Sequence, residues 1–390
     1  MTRHYDAIVV GGGTIGLTSA WRMAQRGMHV AVVDPEPGRG ASWVAAGMLA
    51  PVSEVSYGEE PLLALTMASA RRWPSFAAEL EADAGTGIGY RRTGTLVVDV
   101  DDGDRAWSDE LFRFQCSLGL EVERLTARRL RQLEPNVAPG VRSGMLVSGD
   151  HQVQTRRLVT ALLAAAATRG VVFRRAAATA IAVDGGTVVR GVHTDQSGED
   201  DLHAPVVVLA AGCWSPSVAG LPAGVLPPVR PVKGQILRLA GDADRPLLQR
   251  SVRGVVQGAS VYLVPRADGT VVVGATVEEQ GFDTSVTAGA VYELLRDARR
   301  VVPGVSELAL IEARAGLRPG SPDNAPLVGA TAVDGLLLAT GHYRNGILLS
   351  PITADAVAAL AAGAEPPDEI VPFGPGRFAP AVLANGRPCS

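Results

Sequence analysis

The stretch that decides the fold is Tyr5-Asp6-Ala7-Ile8-Val9-Val10-Gly11-Gly12-Gly13-Thr14-Ile15-Gly16, followed by a helical run and by His29-Val30-Ala31-Val32-Val33-Asp34. Residues 5–10 read as a buried strand. A G-x-G-x-x-G turn follows at once. Residues 17–25 read as a helix stopped at Gly27, and residues 29–33 as a second strand ending on Asp34. In such a unit Gly11 permits the tight turn. Gly13 lets a pyrophosphate approach the backbone, and Gly16 lets helix and strand pack closely. Phosphates then meet free N–H groups at a helix N-terminus, and Asp34, with Pro35 beside it, is placed to bind a ribose hydroxyl pair. The alternative is a glycine-rich turn in an ordinary strand–helix–strand unit. The acid in place at the end of the second strand favours dinucleotide binding.

Outward from this unit, residues 36–56 form a glycine- and alanine-rich loop. Residues 61–83 read as a helix interrupted at Pro74, and residues 94–100 as a strand. Helices follow at 105–118 and 126–133. Residues 155–169 read as a helix with Thr155 as N-cap and Gly170 as its stop. A strand at 171–174 and a small meander over 178–203 come next, the latter turning at Asp184-Gly185-Gly186. Residues 204–209 are wholly apolar, as suits a central parallel strand covered on both faces. From 232 to 276 the pattern is strand-rich, with a hairpin turn at Ala267-Asp268-Gly269, and an amphipathic helix covers 287–301. A strand near 308–315 precedes a last strand–loop–helix unit over 336–362.

Parallel-sheet signals thus fall in three separated blocks, and antiparallel signals fill the gaps. The expected fold is α/β plus α+β. A discontinuous Rossmann-like domain comprises residues 1–55, 140–222 and 315–365. A mostly antiparallel domain, 56–139 and 223–314, is inserted into it, and 366–390 form a loosely held tail.

Hydrophobic residues make up 47% of the 390 and the net charge is -4, values that do not point to nucleic acid or to an acidic membrane surface. Lys233 is the single lysine among 36 basic residues. Cys116, Cys213 and Cys389 are too scattered for a disulfide framework, and the six histidines show no metal-ligand spacing, so no metal is expected. The chain enters its first strand by about residue 5, without room for a signal peptide. Its longest apolar run, 158–167, falls short of the roughly 20 residues that span a bilayer. A cytoplasmic location is expected.

Six motifs occur in order: GGGTIG at 11–16, AAGML at 45–49, YLVPR at 262–266, VVVGAT at 271–276, AGLRPGSPDNAPLVG at 315–329 and GHYRNGILLSP at 341–351. Together they make the chain resemble the D-amino-acid oxidase family of FAD-dependent amine oxidases, its glycine-oxidase branch above all. The resemblance runs to about residue 370. It implies FAD as cofactor, and oxidation of a small amino acid to an imine by hydride transfer to flavin N5, with O2 reduced to H2O2. It also implies a homo-oligomer, typically a tetramer, and imine supply for the thiazole ring of thiamine, hence a functional link to thiazole synthase. The branch that attaches its flavin does so through a cysteine. No cysteine stands in the C-terminal flavin segment, and Cys389 lies in the tail, so the flavin is expected to be non-covalent.

The resemblance also assigns residues. Arg318 in AGLRPG matches the carboxylate-binding arginine, and a planar guanidinium suits both oxygens of a carboxylate. Tyr262 in YLVPR matches a tyrosine that shapes the pocket, although a strand tyrosine is often simple packing. Arg344 in HYRNG matches a second arginine near substrate and flavin, against the alternative of a structural ion pair. Gly11, Gly13, Thr14, Ile15, Gly16, Asp34 and Pro35 would bind the nucleotide end. Ala41, Ser42, Ala46, Gly47 and Met48 lie in the loop passing over the ribityl chain and ring. Ala178 is an adenine-side contact, and Gly212 follows the central strand. His342, Tyr343, Arg344, Asn345, Gly346, Ile347 and Leu348 would turn backbone N–H groups toward the flavin pyrimidine edge, where reduced flavin carries negative charge. No protein general base is implied. Val277 replaces a pocket methionine, which predicts tolerance of sarcosine or D-alanine. Other readings are a dehydrogenase with another electron acceptor, an NAD-dependent dehydrogenase, and a non-catalytic flavoprotein.

Overall fold

The structure is a computed structural model that describes residues 3–196 and 202–378. Its first unit is a six-stranded sheet. The strand order is Leu327–Ala330, Leu336–Thr340, Val206–Leu209, Ala7–Val10, Val30–Val33 and Val172–Arg174. All neighbours run parallel except the first pair. Both faces of the four central strands are buried, which is why they read as uninterrupted rather than alternating runs. Val9 and Val32 face a helical layer through Leu17, Trp21, Leu158 and Ile352. Ile8, Val10 and Val33 face the opposite way, onto Ile181, Val189 and Val192 of a four-stranded sheet. The chain therefore stacks helices, parallel sheet and small sheet in three layers.

The second unit is an eight-stranded sheet. Its order is Ala309–Gly320, Arg230–Ala240, Val271–Gly274, Ala259–Pro265, Ser251–Val256, Thr95–Asp99, Ser143–Val147 and Glu123–Thr126. One face packs on the helix Ala288–Val301, with Leu237, Leu263 and Val273 against Leu294 and Ala298. The other face carries Ile236, Tyr262, Val264 and Val272, which meet Val44 and Met48 of the segment that follows the strand Val30–Val33. The site lies at that junction.

Several expectations change. The strands Ser143–Val147 and Ala309–Gly320 pair in the eight-stranded sheet, so the boundaries drawn at 140 and 315 move past each of them. The helix Glu60–Ala84, assigned to the inserted domain, packs Leu65, Trp73 and Leu80 into the helical layer of the nucleotide unit. That helix also runs through Pro74 without interruption. The ring removes one backbone hydrogen bond, and the burial of Trp73 and Phe76 holds the two halves in line. Thr155 is the first helical residue and not the cap; its hydroxyl donates to the Ala45 carbonyl at 2.9 Å. The start of the tail is held: Ile370 and Phe373 are buried in the core, and Arg377 pairs with Asp323 at 3.0 Å. Cys389 and the end of the tail lie outside the described residues. Among the described residues no helix is long and apolar enough to cross a membrane.

Candidate functional site

The G-x-G-x-x-G turn is built by collision avoidance. Gly11 has φ +108°, and a methyl group on it would strike the Ala210 carbonyl of the neighbouring strand. One on Gly16 would strike the Gly11 carbonyl, so this glycine sets how closely the helix Thr14–Gln25 approaches the first strand. Asp34 closes the turn. Its Oδ2 accepts from the Gly12 amide at 2.7 Å and its Oδ1 from the Glu36 amide at 2.8 Å. Burial nevertheless pushes its pKa up from the usual carboxylate range, and it lines the cavity described below.

The turn leaves donors free. The Thr14 amide donates to Ser42 Oγ at 2.9 Å, which ties the turn to the following loop. The buried Thr14 hydroxyl has no partner among the described residues. Among the described residues, the amides of Gly13 and Ile15 meet no protein acceptor. Unsatisfied donors at a helix N-terminus are what a phosphate requires.

From this turn a continuous cavity of about 810 Å³ runs beneath the loop of Ala41, Ser42, Ala46, Gly47 and Met48 to the eight-stranded sheet. It is lined by Gly11, Gly13, Thr14, Ile15, Asp34 and Pro35 at one end. Ala178 and Gly212 line it alongside, and Tyr262, Arg318, His342, Tyr343, Arg344, Gly346 and Ile347 at the other end. Three expected residues do not line it. Gly16 acts through packing. Asn345 spends its amide on the His342 carbonyl at 2.9 Å, and Leu348 is buried in the helical core. The Leu348 carbonyl is held from that core by Ser69 and Trp73.

The segment after Thr340 is a turn that precedes the helix Ser350–Ala361. The Tyr343 amide donates to the Pro319 carbonyl at 2.9 Å, tying this turn to the strand that carries Arg318. The amides of Arg344, Gly346 and Ile347 meet no acceptor among the described residues. They stand close to the start of a helix, where negative charge is favoured. His342 is buried, with its Nε2 3.0 Å from Thr353 Oγ1, and burial lowers its pKa to about 3. It is neutral near pH 7.

At the sheet end, Arg318 lies over Gly234, where any Cβ would collide with the guanidinium. Its Nη1 donates to the Lys233 carbonyl at 3.2 Å and to the Thr276 carbonyl at 3.1 Å. No carboxylate pairs with it among the described residues. Tyr262 lies over Gly274 in the same way, and burial raises its pKa, so the phenol keeps its proton. Arg344 lines the cavity and also faces Glu59 at 3.9 Å. Val277 is 62% exposed and does not line the cavity, which removes the basis for the expected tolerance of bulkier substrates.

Sequence reasoning missed Gly234, Gly274 and Glu54. The two glycines carried a usable signal, since a glycine inside an apolar strand marks a close approach. Glu54 carried none. It lines the cavity and is backed by Arg253 at 2.5 Å.

The chain matches the DAO family, described as FAD dependent oxidoreductase, over residues 6–360. It is 32% identical to the hydrogen cyanide synthase subunit HcnC of Pseudomonas aeruginosa, covering 98% of this chain and 99% of that one. It is 34% identical to the bifunctional protein ThiO/ThiG of Synechocystis over 96% of this chain, and spans 54% of that longer protein. The crystal structure of glycine oxidase from Geobacillus kaustophilus superposes with a TM-score of 0.88 at 32% identity, covering 97% of this chain and all of that one. The turn, the free donors and the long cavity fit the dinucleotide that such a family binds, and the chain belongs to the DAO family of FAD-dependent oxidoreductases.

Proposed function

We propose that the protein is an amino-acid oxidase acting on glycine or another small amino acid, and that it releases the imine and H2O2. The observation that carries this reading is Arg318, a cavity-lining guanidinium without a carboxylate partner among the described residues, beside a protonated Tyr262 phenol. A small amino acid has one invariant anionic handle, its carboxylate, and a guanidinium can bind both of its oxygens. The names of the glycine oxidase relatives support the same substrate class.

FAD, held non-covalently, supplies the two-electron acceptor when bound. The residues of the chain do the rest. Arg318 fixes the carboxylate, and Tyr262 donates a hydrogen bond from a hydroxyl that does not ionise in the working pH range. At the same end of the cavity, the turn over residues 342–347 presents the amides of Arg344, Gly346 and Ile347, which meet no acceptor among the described residues. Neutral His342 adds no charge there, and its ring is fixed by the contact of its Nε2 with Thr353 Oγ1. No side chain placed in this way is needed as a general base. Catalysis is then positioning plus fixed dipoles.

The resemblance to ThiO/ThiG supports a role in supplying imine to a thiazole synthase; a homotetrameric assembly is part of the same proposal. The second reading is a flavin dehydrogenase that passes its electrons to an acceptor other than O2. The test is H2O2 release in air from the purified yellow protein, with glycine, sarcosine, D-alanine and D-proline side by side. Peroxide from glycine is expected. Flavin that substrate reduces anaerobically and air reoxidises slowly would replace the oxidase reading with a dehydrogenase.

A further inference from the structure

Lys233 is the only lysine in the chain, and its side chain is 1% exposed. It stands in the strand Arg230–Ala240, where successive side chains point to opposite faces. Gly234 and Ile236 face the cavity. Lys233 and Gln235 therefore face away from it, on the side of the helix Ala288–Val301, and Gln235 bonds to Thr287 at the start of that helix. Lys233 cannot reach a substrate, yet it sits directly behind Arg318.

Its ammonium organises one exposed segment. Nζ is 2.5 Å from Asp283 Oδ2 and 3.8 Å from Glu278 Oε2. Its backbone exchanges two hydrogen bonds with Glu278, at 2.8 and 3.0 Å. Gln235 donates from its side-chain amide to Glu278 Oε1 at 2.8 Å, and its backbone amide donates to Thr276 Oγ1 at 2.9 Å. Residues 279–287 beyond these ties are exposed. The segment is thus pinned to the strand at its root and at Asp283. The two carbonyls that hold Arg318 belong to Lys233 itself and to Thr276, the first residue of the pinned stretch.

We propose that Lys233 is a positioning residue for Arg318: its ammonium latches residues 276–287 onto the sheet, and the latch keeps the Lys233 and Thr276 carbonyls where they orient the guanidinium toward the substrate carboxylate. The proposal rests on the reading of Arg318 as the carboxylate anchor. Without the ammonium, Glu278 and Asp283 face each other as like charges, and the segment relaxes outward. The Thr276 carbonyl moves with it, and Arg318 keeps one acceptor in place of two. Binding suffers, whereas the flavin end of the cavity is untouched.

The test compares holoenzymes carrying Lys233→Met, Lys233→Arg and Asp283→Asn with wild type. Acetate, a carboxylate of glycine's size without the amine, is titrated against the visible flavin band, and KM and kcat are measured for the best substrate. Lys233→Met is expected to weaken acetate binding and raise KM about tenfold, and Asp283→Asn about threefold, the scale of one lost charged hydrogen bond. FAD content and kcat are expected to stay within about twofold of wild type, because no group at the flavin is moved. Lys233→Arg, which keeps the charge, is expected to restore most of the affinity. Wild-type acetate affinity and KM in Lys233→Met overturn the latch. If Lys233→Met fails to retain FAD, Asp283→Asn decides, since Asp283 is 47% exposed and not part of the core. Acetate binding that survives Arg318→Ala instead overturns the carboxylate reading itself, and the latch with it.

Discussion

The guanidinium of Arg318 rests on the bare Cα of Gly234, one strand away, in the space that a side chain would fill. The same relationship recurs two strands along, where the Tyr262 phenol rests on Gly274. Two glycines thus form the floor on which both polar groups lie. Gly234→Ala is expected to lift Arg318 and raise KM about tenfold or more, since overpacking a close contact typically costs 1–3 kcal/mol. FAD content is expected to be unchanged, because Gly234 meets only the sheet end of the cavity. Equal losses in KM and FAD retention would show a general disturbance of the fold instead.

Arg318→Ala removes a cavity-lining cation that has no carboxylate partner among the described residues. The expected loss in kcat/KM is about a hundredfold, or roughly 3 kcal/mol, the scale for truncating one partner of a desolvated charge pair. Arg318→Lys is expected to recover only part of this, because an ammonium cannot bind both carboxylate oxygens from one plane. Steady-state kinetics on the best substrate check both. A fully active Arg318→Ala variant would remove the anchor.

At the other end of the cavity, Gly16 acts only through its missing side chain. A Cβ there meets the Gly11 carbonyl and pushes the helix Thr14–Gln25 away from the first strand. The free amides of Gly13 and Ile15 move with it. Gly16→Ala is expected to purify largely colourless, with FAD affinity down about tenfold or more, again on the scale of overpacking. Flavin titration of the folded apoprotein measures this, and a wild-type affinity would show that the helix yields without cost.

Much of this site was legible in the sequence for a physical reason. A dinucleotide turn needs glycines at fixed spacing, so Gly11, Gly13 and Asp34 announce themselves. Val206–Leu209 reads as central because both faces are buried. Other features depend on distant partners and leave no local mark. Pro74 looks like a break until Trp73 and Phe76 are seen in the core. Ser143–Val147 looks equally at home in either sheet until its partner Thr95–Asp99 is known. Val277 sits directly after a pocket strand, yet the chain turns outward there and exposes it. The role of Lys233 needs a strand, a facing loop and a carbonyl to be assembled together.

His342 supplies a prediction in pH. It is 2% exposed, and burial lowers its pKa from about 6.5 to about 3. Between those values the unfolded chain binds a proton that the folded chain refuses. Stability from this residue is therefore fully present above about pH 6.5 and is lost as pH falls toward 3. The slope contributed approaches about 1.4 kcal/mol per pH unit for one proton. His342→Gln keeps an amide able to reach the Thr353 hydroxyl but cannot be protonated in this range. Urea unfolding of the holoprotein from pH 4 to 7 is expected to show a shallower loss of stability on acidification for the variant than for wild type. The buried carboxyl of Asp150, raised to about 6, acts in the opposite sense in both proteins and cancels in the comparison. Parallel curves for the two proteins would mean that His342 gains a proton in the folded state as readily as in the unfolded one.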